Sequence, residues 1–400
     1  MSDTPNPDDV TGPLHGVHVL DLSRVLAGPY ATMILGDLGA DVIKIEQPGS
    51  GDDTRMWGPP FIATEDGPES TYFLSTNRNK RSVTLDMKDP EQWSFIERLV
   101  RWADVLVENF RPGVMERLGL ADEALEALNS RLVRLSISGF GDDGPDARRV
   151  GYDLILQAEG GLMSFTGPRE GPMVKVGVPI ADIVAGLYAV IGVVAGLVER
   201  NTSGRGQRVS TSLLAGQIGV HTFQGTRYLV AGEVPPLSGN QHPTVCPYGV
   251  FDASDAPIVI AVGNDAIWRR FAPLIGIDAL DERFATNALR IADVDRLDAL
   301  MAPALAQKSV AQWLPLFDAA GVPAGEVKKL DAVYASEQVR QQNLVWSVDH
   351  STLGTIELPG SPLRYSRSTV SARRAPPTLG EHSDQVRQEF SGNDEPDDEK

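Results

Sequence analysis

Residues 17–46 read V-H-V-L-D-L-S-R-V-L-A-G-P-Y-A-T-M-I-L-G-D-L-G-A-D-V-I-K-I-E, and this stretch decides the class of fold. Its start, Val17–Asp21, is a short apolar run of the kind that forms a buried strand. Gly28 and Pro29 then open a helix, because proline suits the first helical position, and Gly39 ends it. Asp41–Glu46 is the next strand. This order of elements predicts a right-handed β-α-β unit with parallel strands.

The alternation of helix and strand continues further along the chain. Pro90–Ala103 has the apolar spacing of a helix, Asp104–Glu108 is a strand, and a helical stretch leads to a strand at Leu132–Ser136. Such alternation predicts an α/β fold with a doubly wound parallel sheet. The first strand-to-helix turn, L-S-R-V-L-A-G-P, has one glycine and lacks the G-x-G-x-x-G of dinucleotide-binding turns. A nicotinamide-dependent oxidoreductase is therefore disfavoured.

A long apolar stretch, Gly177–Arg200, carries one acid near its start, Asp182. Because Pro179 precedes it, the stretch is predicted to be one long helix with Asp182 at its N-terminus. Two interpretations of Asp182 stay open: an ordinary N-cap, or a carboxylate kept ionised by the helix N-terminus as a nucleophile. The run is long enough to span a membrane, but Pro179, Asp182 and its glycines favour a core helix at a tight domain or subunit contact.

Composition limits the classes of function. The 400 residues are 42% hydrophobic, which is ample for a buried core, and the formal net charge is −18. That charge argues against nucleic acid and against anionic membrane surfaces as partners. The single cysteine, Cys246, excludes a disulfide framework and indicates a cytoplasmic protein. The six histidines are scattered, so no metal site is expected.

Changes of composition along the chain indicate its domains. Residues 1–12 and 389–400 are acidic and are predicted to be disordered tails. Residues 13–225 form a large domain. A linker rich in proline and glycine then leads into a smaller inserted domain at 226–328, and residues 329–388 return to the large domain.

Several segments, in this order, resemble the class III coenzyme A transferases, the CaiB/BaiF group, which also includes the α-methylacyl-CoA racemases. The segments are L-S-R-V-L-A-G-P at 22–29, N-K-R-S-V-T-L-D-M-K at 79–88, E-N-F-R-P-G at 108–113, G-Y-D-L-I-L-Q-A-E-G-G at 151–161, V-P-I-A-D-I-V-A-G at 178–186, G-R-G-Q at 204–207 and P-P-T-L-G-E-H at 376–382. The resemblance implies a Rossmann-like large domain with a parallel sheet, a smaller inserted α/β domain, and two chains interlocked in a homodimer.

The resemblance also implies which residues act. Asp182 falls where the family's transferases carry a nucleophilic aspartate, which forms an aspartyl-CoA intermediate. A coenzyme A thioester is then a substrate, a small carboxylic acid is the other, and no prosthetic group is expected. The residues implied to bind coenzyme A are Leu26, Ala27, Leu85, Asp86, Met87, Lys88, Asn109, Phe110, Arg111, Arg117, Ser138, Gly139 and Phe140. Those implied to line the acyl pocket are Trp57, Tyr152 and His242.

From the residues alone, these positions also have plain structural interpretations. Lys88 and Arg117 fit solvated surface charges, and Phe110 fits a core residue.

Departures from the family pattern narrow the function. Formyl-CoA transferases have glutamine where this chain has Leu26, which disfavours oxalate and formate as substrates. The racemases have histidine, which transfers protons near neutral pH, where this chain has Tyr152. Gly239–Phe251 is similar to the glutarate branch. We therefore expect transfer of CoA from a donor such as succinyl-CoA to a dicarboxylic acid. The alternatives are a 2-methylacyl-CoA racemase and a CoA-binding protein without turnover.

Overall fold

The computed structural model describes residues 12–65 and 67–391, so most of the two predicted tails lies outside the described residues. The innermost residues of those tails are ordered. Gly12 packs so closely on Leu38 that a Cβ on the glycine would lie 2.2 Å from the Leu38 carbonyl oxygen. Glu389 ends the last helix, and its carboxylate lies 2.7 Å from the Arg81 guanidinium. Disorder starting at residue 389 is therefore a wrong prediction for Glu389, because a helix and an ion pair hold it.

The strands in the described part of the chain are short, with three to six residues each. They are β1 (His18–Asp21), β2 (Asp41–Glu46), β3 (Phe61–Thr64), β4 (Gly67–Ser70), β5 (Lys80–Thr84), β6 (Val105–Glu108), β7 (Val133–Ser138), β8 (Arg208–Ser212), β9 (Tyr248–Asp252), β10 (Pro257–Ala261), β11 (Ala324–Glu326), β12 (Val345–His350) and β13 (Gly354–Pro359).

The helices between them range from single turns to one long helix, α7. They are α1 (Ala27–Asp37), α2 (Thr71–Leu74), α3 (Trp93–Trp102), α4 (Val114–Arg117), α5 (Asp122–Leu128), α6 (Asp153–Glu159), α7 (Ile180–Ser203), α8 (Leu213–Val220), α9 (Thr222–Ala231), α10 (Asp265–Phe271), α11 (Asn287–Ala292), α12 (Val294–Leu305), α13 (Val310–Ala319), α14 (Leu330–Ala335), α15 (Glu337–Gln341) and α16 (Ser383–Glu389). Short 3₁₀ turns lie at Asp53–Met56, Pro90–Gln92, Leu162–Phe165 and Ala272–Ile275.

A six-stranded parallel sheet organises the first part of the chain, with strand order β5-β2-β1-β6-β7-β8. The chain runs outward from β1 to β2 and β5 on one side, and from β6 to β7 and β8 on the other. The order therefore reverses between β1 and β6. In open α/β sheets such a switch point is where ligands bind, outside the carboxyl ends of the strands.

Helices cover both faces of this sheet, and successive residues of each strand point to opposite faces. On one face Val19 and Val42 pack with α1 and α7, in a cluster that includes Ala31, Leu35 and Ala185. On the other face the neighbouring residues Leu20 and Ile43 pack with α3 and α16. The large parallel sheet of an α/β fold, predicted from the sequence, is confirmed.

The bounds of the first elements differ from prediction by one or two residues. The strand Asp41–Glu46 has the predicted limits, whereas β1 begins at His18 and α1 begins at Ala27, one residue before Gly28. Gly39, predicted to end α1, follows the helix by two residues and has a φ of 108°, a backbone conformation that favours glycine. Hydrogen-bond assignments of helix ends commonly differ by this much.

The chain divides into two compact units. Unit 1 comprises the chain up to Gly161, residues 177–226 and the chain from Glu337 onward. Unit 2 comprises Leu162–Val176 and Arg227–Ser336, and contains the antiparallel sheet β11-β10-β9. The predicted large domain, 13–225, includes Leu162–Val176, but this segment contacts unit 2 instead. Its Gly167 carbonyl accepts a hydrogen bond from the Gly239 N–H, at 2.9 Å.

The apolar stretch Gly177–Arg200 forms α7, which packs against α1, α8 and the sheet. Among the described residues it is the one helix with the length and apolarity to cross a membrane. Only 44% of the most apolar 18-residue stretch of this helix is buried within the chain. Part of this helix is therefore core, and part is an uncovered apolar surface.

Candidate active site

The strands of the parallel sheet all end at one side, which we name the carboxyl edge. Four segments for which the sequence predicts contact with coenzyme A leave the sheet there, because they follow β1, β5, β6 and β7. These segments are Leu26–Ala27, Leu85–Lys88, Asn109–Arg111 and Ser138–Phe140. The topology thus brings together residues that lie far apart in the sequence, at the edge where open α/β sheets bind ligands.

Asn109 joins the loop after β6 to the turn after β1. Its Oδ1 accepts a hydrogen bond from the Arg24 N–H at 2.8 Å, and its Nδ2 donates one to the Arg24 carbonyl oxygen at 2.6 Å. The Arg24 guanidinium lies 5.7 Å from the centre of the Phe110 ring, within the range of a cation–π contact. Sequence reasoning missed Arg24, because a single basic residue in a turn carries no local signal.

The predicted basic residues of this edge are on the surface. Lys88, Arg111 and Arg117 are all exposed, and Arg117 ends the short helix α4. Leu85 is buried in the core cluster and Met87 packs against that cluster, while Asp86 accepts a hydrogen bond from the Lys88 N–H at 3.0 Å. Exposed cations beside a buried loop suit a ligand with phosphate groups.

Ser138, Gly139 and Phe140 form a tight turn at the end of β7. A Cβ on Gly139 would lie 2.9 Å from the Gly151 Cα, so the backbone of this turn touches the start of the G-Y-D segment. Phe140 is buried, with the Arg149 guanidinium 4.3 Å from its ring centre, and Ser138 Oγ accepts the Gly141 N–H at 3.0 Å. The turn therefore positions the segment that precedes α6.

Asp182 is not the N-cap of α7. The helix begins at Ile180 and its N-cap residue is Pro179, so Asp182 lies in the first turn. Asp153, the first residue of α6, supplies the cap: its Oδ1 accepts a hydrogen bond from the Ala181 N–H at 2.8 Å. The interpretation of Asp182 as an ordinary N-cap is wrong, because another carboxylate performs that function and leaves Asp182 available.

The pKa of Asp182 is raised from its ordinary value of 3.8 to about 7. Burial is the main cause, and the negative charge of Asp153 adds to it. The sequence suggested that the helix N-terminus keeps this carboxylate ionised. In the structure, desolvation and a like charge outweigh that effect. The carboxylate therefore titrates near neutral pH, as groups in active sites commonly do.

Close packing places the turn after β1 beside the helix of Asp182. A Cβ on Gly186 would lie 2.8 Å from the Ala27 carbonyl oxygen and 3.1 Å from the Tyr30 ring. Gly186 is one helical turn after Asp182, so both face the same side of α7. The absence of a side chain at Gly186 thus lets α1 approach the helix that carries Asp182, with Leu26 and Ala27 at the first turn of α1.

Trp57 and Tyr72 form an aromatic pair near the same carboxylates. Their ring centres are 5.1 Å apart, with the planes at 72°. Burial, together with the charges of Asp182, Asp153 and Asp52, raises the pKa of Tyr72 to about 12. The sequence predicted Trp57 for this site and missed Tyr72. An aromatic residue in the short apolar run of α2 has the appearance of a core residue, and nothing local distinguishes it.

Two predicted acyl-pocket residues have different surroundings. Tyr152 is the N-cap residue of α6 and is 53% exposed, next to Asp153. His242 belongs to unit 2. Its ring centre lies 5.3 Å from that of Tyr248, and its backbone N–H donates to the Tyr248 carbonyl oxygen at 2.9 Å. Within unit 1, Trp57 is thus linked to Asp182 through Tyr72, and Tyr152 adjoins Asp153, whose charge acts on Asp182.

Three ion pairs with buried side chains lie beneath the turn after β1. They are Lys44–Asp52 at 3.0 Å, Lys80–Asp21 at 3.1 Å and Arg55–Glu46 at 2.8 Å. Burial, only partly offset by Asp21, lowers the pKa of Lys80 to about 8. Removing charged groups from water costs free energy unless they are paired, so these residues support the turn rigidly but at a cost in desolvation free energy. These ion pairs could not be predicted from the sequence, because each pair joins different strands or loops.

This arrangement suits nucleophilic attack by a carboxylate on an acyl group. Asp182 is half-buried and lies in the first turn of α7, one helical turn from the Gly186 contact with Ala27. The Leu26 and Ala27 N–H groups at the start of α1 find no acceptor in the described part of the chain. Free N–H groups of this kind can stabilise an oxyanion. Within residues 12–65 and 67–391, no three His, Cys, Asp or Glu side chains group so as to hold a metal ion.

Comparison with known proteins gives consistent matches along the whole described chain. The family model described as CoA-transferase family III matches residues 14–383. A Mus musculus protein named succinyl-CoA:glutarate CoA-transferase is 40% identical over 97% of this chain and 88% of its own length. An Acetobacter aceti protein named acetyl-CoA:oxalate CoA-transferase is 38% identical over 98% of this chain and 99% of its own. The crystal structure of a CaiB/BaiF family protein from Brucella suis is similar, with a TM-score of 0.86, 40% identity and coverage of 95% of this chain and 99% of that one.

Proposed function

The chain belongs to CoA-transferase family III, and from this premise we propose that it moves coenzyme A from a donor such as succinyl-CoA to a free dicarboxylic acid, through an aspartyl-CoA intermediate at Asp182. It is a transferase whose substrates are CoA thioesters. The observation that carries the proposed mechanism is the Asp182 carboxylate, which is half-buried beside the carboxyl edge and released from capping by Asp153.

The proposed reaction has four steps, and in each step one bond forms and another breaks. An Asp182 oxygen attacks the thioester carbon of the donor, the C–S bond breaks, and a mixed anhydride and the CoA thiolate result. The thiolate attacks the Asp182 carbonyl carbon, which forms aspartyl-CoA and releases the donor acid. The acceptor carboxylate then attacks aspartyl-CoA and frees the thiolate again. Attack of that thiolate on the acceptor's acyl carbon gives the new thioester and restores the Asp182 carboxylate.

The surrounding residues have complementary functions in this scheme. The Leu26 and Ala27 N–H groups stabilise the oxyanion that forms at each attack. Exposed Lys88, Arg111 and Arg117 bind the phosphates of coenzyme A, for which basic side chains at the carboxyl edge are suited. The remaining predicted contacts, including Phe110 and Phe140, shape the channel for the nucleotide and the pantetheine arm.

The acceptor is proposed to be a dicarboxylic acid of the glutarate type. The Mus musculus relative is named for glutarate, and Gly239–Phe251 is similar to that branch. The Acetobacter aceti relative is named for oxalate, a shorter acid. Leu26, an apolar residue where formyl-CoA transferases have glutamine, removes a polar partner for a short, highly charged acid.

Incubation of the protein with succinyl-CoA or acetyl-CoA and a panel of acids, including glutarate and oxalate, tests the proposal, with acyl-CoA products read by mass spectrometry. We expect glutaryl-CoA from succinyl-CoA as the main product. Chiral 2-methylacyl-CoA in deuterated water tests the racemase alternative, for which Tyr152 is a poor substitute for histidine. Deuterium uptake without transfer supports a racemase, and CoA binding without either reaction supports a non-catalytic protein.

Asp153→Asn is expected to move the acid limb of the pH profile of kcat/KM to lower pH. Asp182 must be ionised to attack, so wild-type activity rises as the pH increases through about 7. Asparagine can still accept the Ala181 N–H, but it lacks the charge that helps to raise the Asp182 pKa. The expected shift is partial, because burial remains the larger cause. An unchanged acid limb in this variant would show that Asp153 does not act on Asp182 electrostatically.

The assembly is proposed to be an interlocked homodimer with a smaller domain inserted in the large one. Apolar side chains of α7 remain exposed in the single chain: Leu187 by 44%, Tyr188 by 41%, Ile191 by 62% and Val198 by 64%. A surface of this kind normally lies in an interface. The reduced, buried Cys246 is the support for a cytoplasmic location.

Light scattering over a wide dilution series is expected to show a dimer at every concentration at which the protein is folded. A separated chain would expose the apolar face of α7, and protomers of such dimers often have no stable folded state alone. Detection of a folded, active monomer would rule out the interlocked arrangement.

A further inference from the structure

We propose that Asp52, held by Lys44, is a positioning residue for CoA transfer that keeps the turn from Val25 to Ala27 in its working conformation. The inference rests on the proposed function, because it assigns a task to a group that does not itself touch the substrate. It concerns how the turn between β1 and α1 is held, and three observations carry it.

The first observation is strain in the turn. Val25 has a φ of 71°, in the left-handed region of the backbone. A β-branched residue is a genuine outlier there, since its Cβ crowds the following carbonyl group. Conformations of this kind cost about 1–3 kcal/mol and persist only where the surroundings enforce them. A turn that had only to connect β1 to α1 would carry glycine at this position.

The second observation is the contact that enforces this conformation. Both carboxylate oxygens of Asp52 accept the Val25 N–H, at 3.2 and 3.3 Å. Asp52 is 1% exposed, and Lys44 Nζ lies 3.0 Å from its Oδ2. The same Lys44 Nζ donates to the Ser23 carbonyl oxygen at 2.7 Å. One buried ion pair thus binds the backbone on both sides of Arg24, whose own N–H and carbonyl are held by Asn109.

Asp52 itself is fixed in place. Its Oδ1 accepts hydrogen bonds from the Thr54 N–H at 3.0 Å and from Thr54 Oγ1 at 2.7 Å, and its own N–H donates to Glu46 Oε2 at 2.9 Å. Burial opposes ionisation of this carboxyl group, yet Lys44 and the Thr54 N–H keep the pKa of Asp52 below its ordinary value. The group that holds Val25 is therefore a rigid anion at neutral pH.

The third observation connects the turn to the reacting groups. The Ala27 carbonyl oxygen lies against Gly186, one helical turn from Asp182. A relaxed Val25 would rotate the peptide groups of Leu26 and Ala27 away from their present positions relative to Asp182. Misplacement by about 1 Å is enough to cost roughly 100-fold in rate. The hydrogen bonds to Asp52 thus offset the strain at Val25 and keep the Leu26 and Ala27 N–H groups where they can stabilise the oxyanion.

The test combines Asp52→Asn with two changes at Val25. Asp52→Asn is expected to lower kcat about 10- to 100-fold, with a smaller change in the KM for succinyl-CoA, because the amide cannot pair with Lys44 and offers the Val25 N–H one neutral acceptor in place of two charged ones. The double variant with Val25→Gly should have a kcat at least about tenfold higher than Asp52→Asn alone. Glycine adopts a positive φ without cost, so its conformation does not need the hydrogen bonds to Asp52. The double variant with Val25→Ala should not recover kcat, because alanine keeps the Cβ that causes the strain.

Asp37→Asn is the control for loss of a buried ion pair. Asp37 pairs with Arg78 at 2.6 Å at the other end of α1, so this variant should lose stability and keep the wild-type kcat. If Asp52→Asn alone does not fold, the two double variants carry the test, since the proposal requires that only the glycine variant recover folded, active protein.

Equal recovery by glycine and alanine, or a wild-type kcat for Asp52→Asn, would overturn the inference. These outcomes leave the proposed function intact as long as the wild-type protein transfers CoA. A wild-type protein without transfer would refute the proposed function instead.

Discussion

Asp182→Ala is expected to abolish CoA transfer, with kcat lower by at least about 1,000-fold, because in the proposed mechanism this carboxylate forms the covalent bonds in each half of the reaction. CoA binding at the carboxyl edge should persist, since none of the exposed cations there is changed. The measurement is glutaryl-CoA formation from succinyl-CoA. In wild-type protein, hydroxylamine added with donor should cleave the acyl-enzyme and leave a hydroxamate on Asp182, detectable by mass spectrometry.

The same variant makes a second measurement informative. The folded protein raises the Asp182 pKa from 3.8 to about 7, so it binds more protons than the unfolded chain in this range and loses stability as the pH increases through it. The alanine variant lacks this loss. As the pH increases from 4 to 8, its free energy of unfolding should therefore rise relative to that of the wild type. Glu199→Gln, an exposed acid on the same helix, is the control and should change neither property. Retained turnover in Asp182→Ala would exclude the covalent mechanism.

Gly186→Ala is expected to lower kcat about 100-fold with a much smaller effect on stability. The new methyl group would lie 2.8 Å from the Ala27 carbonyl oxygen, and a backbone atom cannot move aside as a side chain does. Helices α1 and α7 must then move apart by up to about 1 Å, which moves the turn proposed to bind the oxyanion away from Asp182. The effect is read as kcat for CoA transfer together with the thermal unfolding temperature.

Gly196→Ala on the same helix is the matched control. Its Cβ would lie 3.2 Å from a Val133 methyl group, which can adjust, and alanine raises helix propensity by about 1 kcal/mol over glycine. This variant should therefore keep its activity. Similar losses in both variants would mean that α7 tolerates no added volume anywhere, and that Gly186 has no particular effect on the site.

The architecture of unit 1 could be predicted because its local patterns agree with the final structure. Apolar runs of strand length alternate with amphipathic helices, and glycine and proline mark their limits, as in 17–46. The assignment of Leu162–Val176 to unit 2 could not be predicted. That segment has no helix or strand pattern to follow, and its membership depends on contacts such as Gly239 to Gly167 that join distant parts of the chain.

The site was partly predictable for a related reason. Asp182 stands out because a lone acid in an apolar run needs an explanation, and the resemblance supplied one. Its partners were missed because their effect depends on distances through space. Asp153 caps α7 from 28 residues away, and Asp52 binds Val25 from 27 residues away. For Val25, moreover, local preference gives the wrong conformation, since a β-branched residue favours a negative φ.

Because the sheet's edge strand β5 is covered by residues near the end of unit 1, the order of synthesis matters for this protein. The Gly380 N–H donates to Ser82 Oγ at 2.9 Å, and the two residues are 298 positions apart in the chain. A ribosome adding 5–20 residues per second needs about 15–60 s to make that interval. All of Arg227–Ser336 is made in the meantime, while β5 has an open edge that other strands can join. We therefore expect co-expressed chaperones, which protect an open strand edge, to raise the yield of folded protein more than substitutions that stabilise the finished fold.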